Sequence, residues 1–82
     1  MSRFYWTDEA KRELRQIDRA QALQILHGLT SYANTGQGDI KRLKGTADYR
    51  LRVGDYRVRF EILGEATVRV LHVKHRRNAY RD

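Results

Sequence analysis

The feature that most constrains the fold of this chain is the stretch 49–62, in which apolar residues alternate with arginines on both sides of Gly54–Asp55. Sustained alternation of this kind predicts a strand with one buried face. A two-residue loop that starts with glycine is typical of a tight turn between antiparallel strands. The stretch is therefore predicted to form a β-hairpin from strands 49–53 and 56–62.

The two-residue loop also determines which residues of the hairpin lie opposite one another. The expected pairs are Val53 with Tyr56, Arg52 with Arg57, Leu51 with Val58, Arg50 with Arg59, and Tyr49 with Phe60. One face of the hairpin is then apolar. The other face, which we call the arginine face, carries Arg50, Arg52, Arg57 and Arg59.

Arginines directly opposite one another destabilise a strand ladder, by about 1 kcal/mol for two such pairs. Guanidinium groups match phosphate oxygens with two donors at once and stay ionised at any working pH. The arginine face is therefore interpreted as a preset site for a polyanion such as an RNA backbone. In the alternative interpretation the side chains extend into water or pair with nearby Asp48 and Glu61.

Outside the hairpin the pattern predicts a pair of helices and two further strands. Residues 2–6 are typical of a short first strand, followed by a helix N-cap at Thr7 or Asp8. A second, longer helix ends before the glycine-rich loop 34–38, and residues 67–74 form the last predicted strand. The expected fold is α+β, with an N-terminal helical hairpin packed on a small, mainly antiparallel four-stranded sheet.

Length and composition restrict the class of protein. The 82 residues leave room for one domain, residues 1–82, with one modest core. The absence of cysteine excludes a disulfide framework and is typical of a cytoplasmic protein. Because neither an apolar segment of signal-peptide length nor one of membrane-spanning length is present, neither secretion nor a membrane partner is expected.

The charge of the chain is unevenly distributed. Residues 1–40 hold five basic and five acidic side chains, whereas residues 41–82 hold twelve basic and five acidic ones, which accounts for the whole net charge of +7. Such asymmetry indicates a polyanionic partner, either a nucleic acid or a strongly acidic protein. The alternative is a solvated basic surface that keeps the protein soluble.

Segments spread along nearly the whole chain resemble a known family when they are taken together. They are the N-terminal strand with TDEA at 7–10, the helical hairpin, Lys44–Gly45, the block YRLRVGDYRVRFEI at 49–62 and the ending HRRNAY at 75–80. In their order and spacing they resemble the RelE/ParE superfamily of toxins from type II toxin–antitoxin systems. The resemblance implies two helices packed on an antiparallel sheet and a cleft lined by basic residues.

For RelE-type members the resemblance implies an endoribonuclease, or mRNA interferase. Such toxins cut messenger RNA in the ribosomal A site, where the ribose 2′-hydroxyl attacks its own adjacent phosphate and leaves a 2′,3′-cyclic phosphate. The reaction needs no metal, no other cofactor and no protein nucleophile. By position, the family's catalytic basic residues and tyrosine correspond to Arg50, Arg52, Arg57, Arg76 and Tyr80.

The arginines do not supply the base that this reaction needs. RelE has lysines at the positions of Arg50 and Arg52, and lysine can lose its proton when its pKa is lowered, whereas arginine effectively never does. His75 can exchange a proton near neutrality, so it is predicted to act as base or acid; the alternative is a surface histidine at a strand end. Tyr80 is predicted to stack on a base or orient a phosphate, or else to dock on the core.

Further cations are predicted to contact RNA phosphates. They are Lys41, Arg42, Lys44, Arg59 and Arg77. For the residues at 41–44 a solvated basic loop is the alternative. A metal site is not expected, because a strand sends His72 and His75 to opposite faces.

Two other functions stay open within the superfamily. A ParE-like protein poisons DNA gyrase and does not cleave RNA, and a homologue that has lost catalysis only binds an antitoxin. The complete set of basic residues with the tyrosine favours the nuclease, whereas the arginines at lysine positions keep the inactive homologue open. All three functions imply an acidic, partly disordered antitoxin that folds onto the basic face, and the nuclease adds mRNA and the ribosome as partners.

Overall fold

A computed structural model of the protein describes residues 3–64 and 67–78. Within these ranges the chain forms two helices and five strands. In chain order they are β1 (Arg3–Trp6), α1 (Asp8–Arg15), α2 (Arg19–Thr35), β2 (Asp39–Arg42), β3 (Tyr49–Val53), β4 (Tyr56–Ile62) and β5 (Thr67–His75). The α+β prediction is confirmed, with β1 preceding the helical pair; Ser2, predicted in the first strand, lies outside the described residues.

Local sequence explains where both helices begin and where the second one ends. The Thr7 hydroxyl accepts a hydrogen bond from the Ala10 N–H at 3.0 Å, and the Asp18 carboxylate accepts one from the Gln21 N–H at 2.9 Å. These N-caps satisfy N–H groups that have no partner inside the helix. Helix α2 stops at Gly36, which has a left-handed φ of 73°. Within the described ranges, neither helix is long and apolar enough to cross a membrane.

The strands form one mixed sheet in the order β1-β5-β4-β3-β2. Antiparallel pairing joins β2 to β3, β3 to β4 and β4 to β5, whereas β1 runs parallel to β5. The prediction of a mainly antiparallel sheet is therefore confirmed. The β4–β5 register shifts next to Arg59 and Phe60, which lie opposite His72 and Val70, so that Leu71 is the extra residue of a β-bulge.

The predicted count of four strands is wrong, because the structure adds β2 as a fifth. Its sequence, DIKR, holds one apolar residue among three charged ones, so no period of two is visible. Natural sheets protect short edge strands from pairing with other chains by such charged side chains. This strand is defined by its pairing with β3, in which Ile40 lies opposite Leu51, and not by its local sequence.

The core lies between the helices and one face of the sheet. Helix α1 packs against β5 and β1, and α2 packs against β3. The main buried apolar residues are Ala10, Ile25, Leu29, Leu51, Val58, Phe60, Val68, Val70 and Val73. Because the apolar side chains of β3 and β4 point toward the helices, the arginine face points away from this core.

Helix α1 lies beside the edge of β5 that β1 does not cover. Strand β1 pairs with residues 67–70. Beyond them the Thr7 hydroxyl donates to the Leu71 carbonyl at 3.1 Å, and the Glu13 carboxylate accepts the Val73 N–H at 2.8 Å. These bonds satisfy backbone groups that an edge strand would otherwise leave open.

Candidate nucleic-acid interface

The hairpin register predicted from the sequence is confirmed at all five pairs. Arg52 lies opposite Arg57, and Arg50 lies opposite Arg59, across β3 and β4. Side chains of directly opposed residues project from the same face of a sheet. The arginine face therefore forms as predicted.

Neighbouring strands extend the arginine face on both sides. By the same rule of opposed residues, β2 contributes Asp39 and Lys41, which lie opposite arginines of β3. On the other side β5 contributes His72 and Lys74, which lie opposite arginines of β4. Among the described residues the face is thus a mixed surface of cations, carboxylates and the imidazole of His72.

Arg57 is the arginine of this face that pairs with no acidic group of the described residues. Its Nη1 atom donates instead to the backbone carbonyls of Gly54 and Tyr56, at 3.2 Å in each case. These two bonds hold the guanidinium over the hairpin turn. Its remaining donors are available to an incoming anion.

Charge repulsion identifies the neighbours of Arg57. Burial lowers the pKa of Arg57, and the guanidinium groups of Arg52, Arg50 and Arg76 lower it further, while Asp39 raises it. The group still stays ionised near neutrality. We call Arg50, Arg52, Arg57 and Arg76 the arginine cluster, and an anion bound among them would relieve the repulsion.

Asp39 partly neutralises the β3 half of the cluster. Its two carboxylate oxygens lie 3.8 Å from Nη2 of Arg50 and 3.4 Å from Nε of Arg52. Arg50 is only 9% exposed, whereas Arg52 is exposed. Asp39 could not be assigned from sequence, because it reaches this face through β2. One carboxylate shared by two guanidinium groups leaves the cluster positive, although the repulsion is smaller than four unpaired arginines would give.

Arg76 joins the cluster because the chain after β5 is tied to the hairpin turn. The Arg76 N–H donates to the Asp55 carbonyl at 2.7 Å, and the Arg76 Nε atom lies 4.0 Å from the Asp55 carboxylate. The structure therefore brings together the four arginines that the family resemblance implies for catalysis. Tyr80, the fifth residue of that set, lies outside the described residues.

Arg59 has a different environment from the rest of the arginine face. Its Nε atom donates to Asp48 at 2.7 Å, and both side chains are largely buried. Glu61, the other acid considered as a local partner, instead binds Arg69 at 2.9 Å. Phosphate binding by Arg59 stays a prediction, and its contacts here are structural.

The remaining predicted phosphate contacts are not all on one face. Lys41 is exposed and lies on the arginine face, whereas Arg42 lies opposite Tyr49 and therefore on the face that the helices cover. Lys44 lies in the loop after β2, and Arg77 lies in the turn after β5. Of these four cations, Lys41 is the one that the sheet places beside the cluster.

His75 is not brought together with the arginine cluster. It lies opposite Tyr56 and so on the helix-covered face, where the two rings meet edge to face with centroids 5.3 Å apart. Its Nδ1 atom accepts the Arg77 N–H at 3.2 Å. His75 faces away from the cluster because side chains alternate along β5, and the preceding residue, Lys74, is on the arginine face.

His72 is the histidine on the arginine face, as the predicted separation of His72 from His75 requires. Its Nδ1 atom lies 3.4 Å from the Glu9 carboxylate and 3.5 Å from that of Glu13. Glu13 also accepts from Lys74 Nζ at 2.7 Å. Burial alone would raise the pKa of Glu13, but hydrogen bonds from Lys74 and the Val73 N–H outweigh it and lower that pKa.

The described ranges contain no group of three or more His, Cys, Asp or Glu side chains placed to hold a metal ion. The expectation that catalysis needs no metal stays a prediction.

Comparison with known proteins supports the likeness seen in the sequence. A family model described as the ParE toxin of the type II toxin–antitoxin system parDE matches residues 4–80. No curated protein sequence matches the chain.

Several solved structures share the fold. A chain of the RelB–RelE antitoxin–toxin complex from Methanococcus jannaschii is 26% identical, with a TM-score of 0.74, over 89% of this chain and 91% of that one. The archaeal RelE–RelB complex from Pyrococcus horikoshii OT3 gives 23% identity and a TM-score of 0.77, over 95% of this chain and 98% of that one. The isolated E. coli RelE toxin gives 19% identity and a TM-score of 0.78, over 100% of this chain and 88% of that one. The last two likenesses show the fold alone.

Proposed function

Because the chain belongs to the ParE toxin family of type II toxin–antitoxin systems, we propose that this toxin is an endoribonuclease that cleaves messenger RNA in the ribosomal A site without a metal. The observation that carries the proposal is the arginine cluster. Arg57, which has no acidic partner among the described residues, lies at its centre, and Arg50, Arg52 and Arg76 surround it. This arrangement suits a phosphate whose negative charge grows during reaction.

The chemistry assigns the cluster its role. When the 2′-hydroxyl attacks its adjacent phosphate, a phosphorane forms whose oxygens carry more negative charge than the phosphate did. Fixed cations that are already in place stabilise this charge without having to reorganise. The hydrogen bonds from Arg57 to the Gly54 and Tyr56 carbonyls provide such preorganisation.

The partner that controls the toxin is proposed to be an acidic antitoxin. Complexes of RelE with the antitoxin RelB are among the similar structures. An acidic segment that covers the arginine cluster would neutralise it and exclude RNA, and charge complementarity would also speed association. The proposed site of action is the cytoplasm, where the ribosome and mRNA are the targets.

A translation reaction in vitro tests this function. The purified toxin is added, and mRNA 5′ ends are mapped. We expect codon-phased cuts that disappear in Arg57→Ala and Arg76→Ala. The matched control is Arg12→Ala, which removes an exposed arginine of α1 and should leave the cuts unchanged. Intact mRNA in the wild-type reaction contradicts the proposal.

Gyrase inhibition is the second candidate, and the ParE family match is the observation that favours it. It predicts gyrase-dependent DNA breaks with intact mRNA. An inactive homologue predicts neither cuts nor breaks, together with tight antitoxin binding. Running the cleavage and gyrase assays on the same preparation separates the three outcomes.

A further inference from the structure

The proposed reaction needs a group that takes the 2′-hydroxyl proton, and the arginine cluster does not contain one. Guanidinium groups do not deprotonate in the working range. Histidine does exchange protons there. Of the two histidines on β5, His72 is on the arginine face and His75 is on the opposite face.

The surroundings of His72 match those of an oriented base. Its Nδ1 atom is buried and makes no hydrogen bond within the described residues, although the Glu9 and Glu13 carboxylates lie 3.4 and 3.5 Å away. Two carboxylates on this side favour the tautomer with the proton on Nδ1. Nε2 then carries the lone pair, and an imidazole base with a carboxylate beside its other ring nitrogen is a recurrent catalytic arrangement.

The other side of His72 is open to a ligand. The side chain is 29% exposed although Nδ1 is buried, so the accessible part of the ring is the edge that carries Nε2. A cavity of about 520 Å³ opens beside it, lined by Thr7, Glu9, Asp48, Arg59, Leu71 and His72. This volume lies in the range of small-molecule sites and admits a nucleotide.

The position of His72 relative to the cluster is fixed by the sheet. It lies opposite Arg59, which in turn lies opposite Arg50. Directly opposed residues are about 5 Å apart at Cα. A ribose in the cavity would thus lie on the same face of the sheet as a phosphate bound by the cluster.

We propose that His72, oriented by Glu9 and Glu13, is the catalytic residue that removes the 2′-hydroxyl proton; the inference rests on the proposed nuclease function. The proton passes to Nε2 as O2′ forms its bond to phosphorus. The bond from phosphorus to O5′ breaks, O5′ takes a proton from water, and the products are a 2′,3′-cyclic phosphate and a 5′-hydroxyl. The imidazolium is stabilised between the two carboxylates until its proton returns to solvent.

The pH dependence involves every charged group that faces His72. Glu9 and Glu13 approach from α1, Arg59 from β4, Lys74 from β5 itself, and Asp48 across the cavity. The proposal concerns the imidazole of His72 alone, so the decisive variants are those that change it or its orientation.

The test is single-turnover cleavage of mRNA on preformed ribosome complexes between about pH 5 and 8, the range in which imidazole titrates. We expect the wild-type rate to rise with pH through this range. His72→Gln should be slower by roughly 100-fold or more, as for loss of a general base, and should lack the rise. Exogenous imidazole should partly rescue His72→Ala.

The control variants keep the proposal falsifiable even if substitutions at His72 reduce folding. His27→Gln, on α2, should retain the wild-type rate and profile. Glu9→Gln changes an exposed residue and should shift the pH profile while circular dichroism stays unchanged. The inference is overturned if His72→Gln keeps the wild-type profile, or if the rise disappears in His75→Gln instead. If the wild type leaves mRNA intact, the proposed function fails first and this inference fails with it.

Discussion

The guanidinium of Arg59 donates from Nε to Oδ2 of Asp48 at 2.7 Å, and this ion pair divides the arginine face into two parts. On the side of Arg59 the positive charge is already compensated. On the side of the hairpin turn Arg57 pairs with no acid of the described residues. The proposed centre for anion binding therefore lies toward the turn, and the ion pair holds β4 against the loop that precedes β3.

This ion pair should stabilise the fold. The two side chains are 22% and 16% exposed, so removal of the carboxylate leaves a poorly solvated guanidinium. We expect Asp48→Asn to lower the free energy of unfolding by about 2 kcal/mol, as for a hydrogen bond to a charged group. Asp55→Asn, in an exposed pair at 4.0 Å, should change it by less than about 0.5 kcal/mol. Urea unfolding measures both, and equal effects would contradict the assignment.

In the wild-type protein, the Asp39 carboxylate should weaken RNA binding. In Asp39→Asn the exposed guanidinium of Arg52 loses this carboxylate and becomes available to phosphate. Fluorescence anisotropy with a single-stranded RNA should show tighter binding, and the slope of log K against log salt should steepen by about 0.7 for each additional phosphate that the protein neutralises.

The control for this experiment is Asp8→Asn, which changes the net charge by the same amount on α1. It should leave the slope unchanged. If both variants bind RNA equally well, net charge explains the tighter binding and Asp39 has no local role.

Gly28 allows α2 to approach β3. A Cβ atom at this position would lie 2.9 Å from Cγ2 of Val53, and the β-branched valine has little freedom to move. Gly28→Ala should therefore destabilise the protein by about 1 kcal/mol, because overpacking outweighs the gain in helix propensity.

A double-mutant cycle checks the cause. In a Val53→Ala background the clash is absent, so Gly28→Ala should become stabilising by roughly 0.5 kcal/mol or more. The same penalty in both backgrounds would mean that another contact is responsible.

Glu13 should make the stability depend on acid pH. Its pKa is lowered in the folded protein, despite the opposing effect of burial, by hydrogen bonds from Lys74 and the Val73 N–H. In the unfolded chain the glutamate pKa is about 4.3. At pH values between the lower folded pKa and this one, the unfolded chain therefore binds more protons than the folded protein, and stability rises with pH. The contribution is complete above that value and is lost as pH falls through the lower folded pKa.

Urea unfolding from neutral pH into the acid range should show this loss in the wild type. Glu13→Gln should be less stable at neutral pH and should vary less between the two ends of the range. Parallel curves for the two proteins would remove Glu13 as the cause.

The hairpin was predictable because its determinants are local. Alternation along 49–62 and a two-residue loop at Gly54 are sufficient to define the register, which the structure confirms at each pair. The family resemblance then identified Arg76 as a partner of the hairpin arginines, and the bond from its N–H to the Asp55 carbonyl shows how the fold brings it there.

Other parts of the site depend on contacts between distant segments. Strand β2, and with it Asp39, has no alternation to reveal it. The different surroundings of His72 and His75 follow from their pairing with β4 and from the position of α1, which places Glu9 and Glu13 beside only one of them. No local pattern contains that information.

The hydrogen bond from the Thr7 hydroxyl to the Leu71 carbonyl joins residues 64 positions apart in sequence. During synthesis from the N-terminus, β1 and α1 thus have no strand to dock on until β5 has been made. Contacts of such long range slow folding because the intervening chain must first be closed into a loop. The edge of β1 that pairs with β5 therefore stays open until the last strand has been made.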